Sequence, residues 1–455
     1  MAAAKIKFGT YAATPPAFKP IEAKAIVQFR PHKYWKGEFG FDWMRMGDTK
    51  IDGDIDYKKN VGNYGKIYAV KEGARFTPSK YIFLENEYTP KIIVEKKDTS
   101  NKPKKYYTPL LSLYKDPDLT NNPAAKLQLL IEIIEEPDEL YIEFPKAFFE
   151  ITNSIISKDN RNLKHFNIHK KSITKRRLHK LNLEIKCIDT FENDKTLRVF
   201  AIKNKEDGSK GNPKLAGQLK VKANSKPHRR ISKIVFINVI TNIKETRGSK
   251  KEGISKADSA AQKAYLEPFL KQALIKPKIE NKDLYLFDTS NPNTRVLNKN
   301  YTITKNGVKM YSKTHTSTNH ELADFLVAQF NATPANNKYK NHYKVFFLGE
   351  QGGIKLKESG KIINIGGASN GIGSKECVMY SNPLKFFLAH ELMHCMGLYH
   401  SFDNKSKHTF KLGQTENVMD YSHIQKYAKP NSTLTQISTW AWQWSILKDK
   451  NEKEV

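Results

Sequence analysis

Between Ala23 and Pro145, short runs of β-branched and aromatic residues recur: KAIVQFR, KIYAV, KYIFLE, KIIVEKK and ELYIEF. Each is bounded by Gly, Pro, Asp or Asn, a punctuation that predicts strands. LQLLIEIIEE fits a strand or a short helix, and its periodicity does not decide between them. LNLEIKCID, TLRVFAIK and AGQLKVKAN extend the β pattern. At Lys233 the pattern changes. KIVFINVIT reads as a strand, and Ser255–Leu274 as a helix with Ala261, Tyr265, Phe269 and Ala273 on one face. Asp283–Phe287 reads as a strand. Asn319–Phe330 reads as a helix with Leu322, Phe325, Leu326 and Phe330 together. Lys344–Leu348, Lys361–Ser369 and Glu376–Tyr380 follow as strands. The last helix is expected over Ser432–Leu447, with Leu434, Ile437, Trp440, Ala441, Trp444 and Leu447 at helical spacing.

Strands alternating with helices predict an α/β domain with a mixed sheet. The expected organisation is therefore multidomain: N-terminal β-rich, sandwich-like modules followed by an α/β domain carrying the chemistry. The expected segments are a Pro/Ala-rich leader over 1–22, β-rich modules over 23–150, a basic linker over 151–180, a β segment over 181–232 and the α/β domain over 233–455. A length of 455 residues suits two or more cores.

The chain is 39% hydrophobic and 27% charged, an ordinary folding composition. No apolar run is long enough to span a bilayer. The net charge of +30 permits attraction to polyanions. Yet the lysines are dispersed, and no zinc-finger, RNA-recognition or helix-turn-helix pattern is present, so no specific nucleic-acid partner is expected. Lys170, Lys171, Lys175, Arg176, Arg177 and Lys180 cluster, which suits a solvated linker better than a binding patch. The start, MAAAKIKFGTYAATPP, lacks a secretory apolar region, so synthesis in the cytoplasm and any export by a signal-independent route are expected. Cys187, Cys377 and Cys395 are too few for a disulfide framework and are expected to be reduced.

The chemistry is concentrated in SNPLKFFLAHELMHCMGLYHSF. Asn382 suits a helix N-cap and Pro383 a first helical residue. His390 and His394 are four apart, so on a helix they share a face and can share one ion. Glu391 stands beside that face, placed to take a proton from water on the ion. Gly397 can end the helix in a left-handed turn and bring His400 back to the same ion. Three neutral imidazoles with a fourth position open describe a catalytic zinc site, where a structural site would be closed by a fourth ligand. The string is H-E-x-x-H-x-x-G-x-x-H. At average residue frequencies it would arise by chance in a chain this long on the order of 10⁻⁵ to 10⁻⁴ times.

This string resembles the signature of the metzincin zinc metallopeptidases. The resemblance covers about half the chain, from Lys233 onward. It implies a zinc-dependent endopeptidase with His390, His394 and His400 as Zn2+ ligands and Glu391 as general base. It also implies a downstream turn with a methionine beneath the ligands, for which ENVMDYS supplies Met419. Tyr421, two residues on, takes the place of a tyrosine that in the astacin and serralysin branches can stabilise the oxyanion. His408 and His423 are read as surface or supporting residues. An edge strand pairing with extended substrate is implied as well, and its candidates are Ile363, Ile365, Gly366 and Gly367. Cys187 could in principle act as an inhibitory ligand, but its alternating context places it in a core.

Tyr34–Asp48, YWKGEFGFDWMRMGD, reads as β-rich core with a turn. It also resembles leaders of bacterial contractile-injection effectors, including type VI secretion cargo. That resemblance implies a secreted antibacterial or host-directed toxin, with a secretion-apparatus component or immunity protein as partner. Two other readings of the whole stay open: a delivery or binding protein carrying an inactive metzincin domain, and a zinc hydrolase of a non-protein amide.

Overall fold

The computed structural model describes residues 5–10, 25–49, 51–65, 75–97, 103–115, 124–134, 137, 139–152, 178–204, 207, 209, 211–243, 257–288, 290–318, 320–357, 359–381, 383–424, 427 and 434–454. The KIYAV strand and the basic residues Lys170–Arg177 lie outside them. The architecture is mostly β, with mixed sheets, few helices and two compact units. The first unit comprises residues 1–228 and 401–442; the second comprises 229–400 and 443–455. Residues 401–442, expected within the 233–455 domain, thus pack with the N-terminal half.

In the first unit, strands are β1 (Lys5–Thr10), β2 (Ala25–Pro31), β3 (Gly40–Asp42), β4 (Leu110–Ser112), β5 (Ala125–Ile133), β6 (Glu139–Phe144), β7 (Phe149–Thr152), β8 (Leu178–Cys187), β9 (Lys195–Ile202) and β10 (Lys214–Val221). One sheet runs β1-β6-β9-β10-β4-β3 and the other β7-β8-β5-β2. LQLLIEIIEE resolves as strand β5. It pairs on one side with β2, Leu129 opposite Phe29, and on the other with β8, Leu129 opposite Leu181. Alternation is clean in β8, where Leu181, Leu183, Ile185 and Cys187 are buried. The core gathers these with Trp35, Phe39, Phe41 and Trp43, so these four aromatics of the Tyr34–Asp48 segment serve packing. KYIFLE corrects a strand expectation: Tyr81–Glu85 is a short helix. Its Leu84 and Glu85 are buried together with Tyr88, an i, i+1, i+4 set that only a helical path puts on one side.

The second unit contains β11 (Arg230–Thr241), α1 (Ser259–Gln272), β12 (Ile275–Leu286), α2 (Pro292–Asn300), β13 (Thr302–Lys305), β14 (Val308–Ser312), α3 (Leu322–Asn331), β15 (Tyr343–Leu348), β16 (Gly352–Lys355), β17 (Ile362–Ile365), β18 (Gly367–Ser369), β19 (Glu376–Met379) and α4 (Phe387–Cys395). The main sheet runs β12-β11-β15-β19-β18, with Glu452–Lys453 pairing β11. β12, β11, β15 and β19 are parallel, and edge strand β18 is antiparallel to β19. A smaller sheet runs β13-β14-β16-β17.

Several boundaries differ from the sequence reading. α1 starts after Asp258, whose carboxylate accepts from the Ala261 N–H. α3 starts at Leu322, and Asn319 lies outside the described residues. Lys361–Ser369 is two strands in two sheets, broken at Gly366. α4 begins at Phe387, one turn later than Asn382 and Pro383 suggest, and Asn382 lies outside the described residues. The final helix is Ala441–Asp449. Leu434, Ile437 and Trp440 are buried in non-helical chain, because there they fill the first unit. Among the described residues no helix is long and apolar enough to cross a membrane.

Candidate metal centre

The site is built on α4, in the second unit. FLAHELMHC buries Leu388, Ala389, Leu392, Met393 and Cys395, so packing holds this nine-residue helix in place. His390 and His394 project from one face, both 5% exposed. The helix closes in a Schellman turn. Gly397 takes φ +96°, its N–H donates to His394 O at 2.9 Å, and Leu398 N–H donates to Met393 O at 2.9 Å. An alanine Cβ at Gly397 would meet only Ile446 and Lys450 at 3.6 Å, so the requirement for glycine lies in φ rather than space.

That turn has a chemical consequence. Leu398 O lies 2.7 Å from His394 Nδ1, which donates to it, leaving Nε2 as a bare lone pair. His394 Nε2 is 3.2 Å from His390 Nε2 and 3.1 Å from His400 Nε2. All three ligand atoms lie within 4.8 Å of one another. Burial and neighbouring His390 push His394 down to about 3. Burial, then His394 and His390, hold His400 well below its ordinary range. Two buried imidazoles and one half-buried imidazole with nitrogens converging on one point suit a shared cation. Zinc–nitrogen bonds of about 2.0–2.1 Å in a tetrahedron would place nitrogens about 3.3 Å apart, close to the spacing seen. His390, His394 and His400 can therefore hold a metal ion.

Glu391 lies next to His390 on α4 and is held by a neighbouring strand. Its Oε2 accepts the Ser369 N–H of edge strand β18 at 2.7 Å. Burial raises its carboxyl above the ordinary range, against the opposing pull of His390, the Ser369 N–H and Lys313. This approach depends on paired glycines. A Cβ at Gly366 would stand 2.2 Å from the Phe387 ring, and one at Gly367 would stand 2.8 Å from Glu391 Cγ. Of the edge-strand candidates, Gly367 opens β18, Gly366 is the break beside it, and Ile363 and Ile365 belong to β17 in the smaller sheet. The Ser369 N–H and the Leu398 carbonyl were missed by sequence reasoning. The only trace of the first is a Gly-Gly pair inside an apolar run.

Met419 and Tyr421 belong to the first unit. Met419 is fully buried in a turn, its N–H bonded to Asn417 Oδ1 at 2.9 Å, and its carbonyl accepts the Ser401 N–H at 3.0 Å. The residue following His400 is thus tied to the Met419 turn. Asp420 braces that turn by accepting from the Gly413, Thr415 and Tyr421 N–H groups and the Thr415 hydroxyl. Tyr421 packs against Phe402, ring centroids 5.0 Å apart. Buried Arg45 pairs with Asp42 and Glu416 and lies over the Trp43 ring, and Asp42 accepts the Ala441 N–H at 2.9 Å.

The remaining candidates are not members of the ligand cluster. His408 Nε2 is 3.2 Å from Glu87, and His423 Nδ1 is 2.8 Å from Gln436. Cys187 is buried in the first core, its thiol pushed up to about 11 by burial. Cys377 and Cys395 are also free and buried. Among the described residues, His390, His394 and His400 form the one cluster of potential metal ligands. No protein-family model, curated protein or solved structure matches the chain.

Proposed function

We propose that the chain is a zinc-dependent endopeptidase of the metzincin type. The observation that carries this reading is the convergence of three imidazole nitrogens beside a carboxylate held by an edge strand. Zinc at this position would supply Lewis acidity toward a peptide carbonyl and toward water. Glu391 accepts the proton of the attacking water as general base and delivers it to the leaving amine. Its raised affinity for a proton suits that exchange, and the Ser369 N–H holds one of its two oxygens. Met419 is assigned the turn beneath the ligands and Tyr421 the stabilisation of the oxyanion, both on the order of the motif. The antiparallel edge strand β18 is the candidate surface for extended substrate. Its Ser369 N–H is already taken by Glu391, so backbone pairing there falls to the remaining groups.

The test compares the purified chain, loaded with zinc, with its Glu391→Ala variant on a partly unfolded proteome. New peptide ends are mapped by mass spectrometry, and bound zinc is measured by elemental analysis. The parent is expected to produce new ends, and the variant to retain zinc without producing them. Turnover retained by the variant would remove Glu391 from the mechanism, and absence of bound zinc in both would remove the metal site.

A further inference from the structure

The first unit carries a pocket of about 310 Å³ at the end of β2, where it meets the faces of β5 and β8. That volume is near the lower end of small-molecule sites, about 300–1,000 Å³. Lys33 and Lys180 line it, and no lining residue is acidic. Two nearby carboxylates already have partners: Asp48 pairs with Arg30, and Asp54 accepts the hydroxyl of lining residue Thr49 at 2.7 Å. Lys180 and Asn182 are two apart on β8, so both present to the same face. Asn182 stands opposite Gln128 of β5, and Gln128 Nε2 donates to Asn182 Oδ1 at 3.3 Å. That bond leaves an amide NH₂ on Asn182 and an amide oxygen on Gln128 to meet hydroxyl groups. Pro31 and Ile51 add apolar surface.

An exposed aromatic ring packs against one lining residue. Tyr34 is 66% exposed, and its ring packs 5.2 Å from that of His32, which lines the pocket. Lys33 Nζ lies 4.5 Å from the centre of the Tyr34 ring. His32 is held below its ordinary range by burial and by Lys33 and Lys126, so it sits neutral among cations. An exposed aromatic, paired amides and lysines without a carboxylate form a combination that recognises a hydroxyl-rich ring bearing negative charge.

We propose that this pocket binds an anionic saccharide unit: a sugar ring carrying a carboxylate, sulfate or phosphate. The lysines pair with the anionic group, Gln128 and Asn182 exchange hydrogen bonds with ring hydroxyls, and Tyr34 covers the apolar sugar face. The site does not involve Glu391 or the imidazole cluster, so it stands or falls independently of the peptidase reading.

The test is calorimetric titration of the full-length chain at about 0.15 M salt, where diffuse attraction is screened beyond about 8 Å. The probes are a sulfated tetrasaccharide, a uronate tetrasaccharide, a neutral glucan tetrasaccharide and an oligothymidylate of matching charge. The two anionic sugars are expected to bind and the neutral glucan is not. Lys33→Glu with Lys180→Glu is expected to weaken binding at least about tenfold, the loss of one or more charge-assisted contacts. Lys299→Glu with Lys340→Glu makes the same charge change at exposed positions of the second unit and is expected to cost less than about twofold. Asn182→Ala and Tyr34→Ala, which leave the charge alone, are each expected to weaken sugar binding, and keep the test decisive if the charge reversal fails to fold. Equal losses in the two lysine pairs, no binding of either anionic sugar, or an oligothymidylate that binds as tightly through the same lysines would each overturn the proposal. Displacement of the tetrasaccharide by free glucuronate supports a free sugar acid as ligand. Binding of the tetrasaccharides alone supports a unit of a surface polymer.

Discussion

Replacing Gly367 by alanine tests how the candidate base is held. The added Cβ would stand 2.8 Å from Glu391 Cγ and 3.0 Å from Met379 Sδ. Carbon atoms in contact prefer about 3.5–4.0 Å, so something must move by about 1 Å. β18 is fixed by its pairing with β19, Gly367 opposite Met379 and Ala368 opposite Val378, so Glu391 gives way more easily. That movement loosens the 2.7 Å hydrogen bond from the Ser369 N–H. Overpacking of this kind costs about 1–3 kcal/mol of stability. Displacing a catalytic group by about 1 Å costs about 10²-fold in rate. Under the peptidase proposal, the Gly367→Ala protein should therefore lose about two orders of magnitude in kcat/KM relative to the parent on a peptide substrate, with bound metal unchanged because no imidazole is touched. Gly65→Ala is the control: nothing lies within 4 Å of its Cβ, and its stability and activity should match the parent. A Gly367→Ala protein with kcat/KM within about threefold of the parent would refute the argument that the strand positions Glu391.

Three further outcomes follow from the same geometry. Gly397→Ala forces φ +96° on a residue with a Cβ, and denaturant unfolding should show a loss of about 1–2 kcal/mol. By shifting Leu398 O from His394 Nδ1 it should also weaken metal binding about 10–100-fold in chelator competition, and unchanged affinity would dissociate that carbonyl from the site. Glu416→Ala leaves buried Arg45 with Asp42 alone and should cost about 3–5 kcal/mol, while a loss below about 1 kcal/mol would show the pair to be dispensable. Asp420 concerns pH. Burial, opposed by the Thr415 hydroxyl and the N–H groups of Gly413, Thr415 and Tyr421, raises its carboxyl from 3.8 to about 6. The folded state then holds the proton more tightly than the unfolded chain. The resulting stability is full below pH 3.8 and disappears as pH rises through about 6. The stability difference between the parent and Asp420→Asn should fall by about 3 kcal/mol across that window, and a flat difference would contradict the assignment.

The parts of the centre legible in the sequence are those that local geometry alone determines. Residues four apart on a helix share a face whatever surrounds them, so His390 and His394 could be paired from spacing. A glycine in the left-handed region ends a helix by a hydrogen-bond pattern spanning six residues, so Gly397 could be assigned its turn and His400 its return. What spacing could not supply was the partner across a long stretch of chain. Ser369 is 22 residues from Glu391, and nothing in KIINIGGAS states which helix will lie on it. The two glycines there read as a loose end of one strand. They mark the place where one strand stops, another begins in a different sheet, and α4 comes too close for a side chain. Short periodic windows misled for a related reason. Leu434, Ile437, Trp440 and Trp444 fit a helical stripe, yet only Trp444 lies in the helix. An apolar residue every third or fourth position also suits an extended chain threaded through a core, and residues 401–442 have such a core in the first unit. Its decisive contacts, Arg45 with Glu416 and Asp42 with Ala441, join residues some 370 and 400 positions apart. The consequence is physical rather than cartographic. The turn that holds Met419 is built on the β-rich N-terminal half, so a fragment beginning at residue 233 would expose the buried face of 401–442 and leave Glu416 without its arginine. Removing the N-terminal half should therefore unfold that segment rather than release an independently folded C-terminal half.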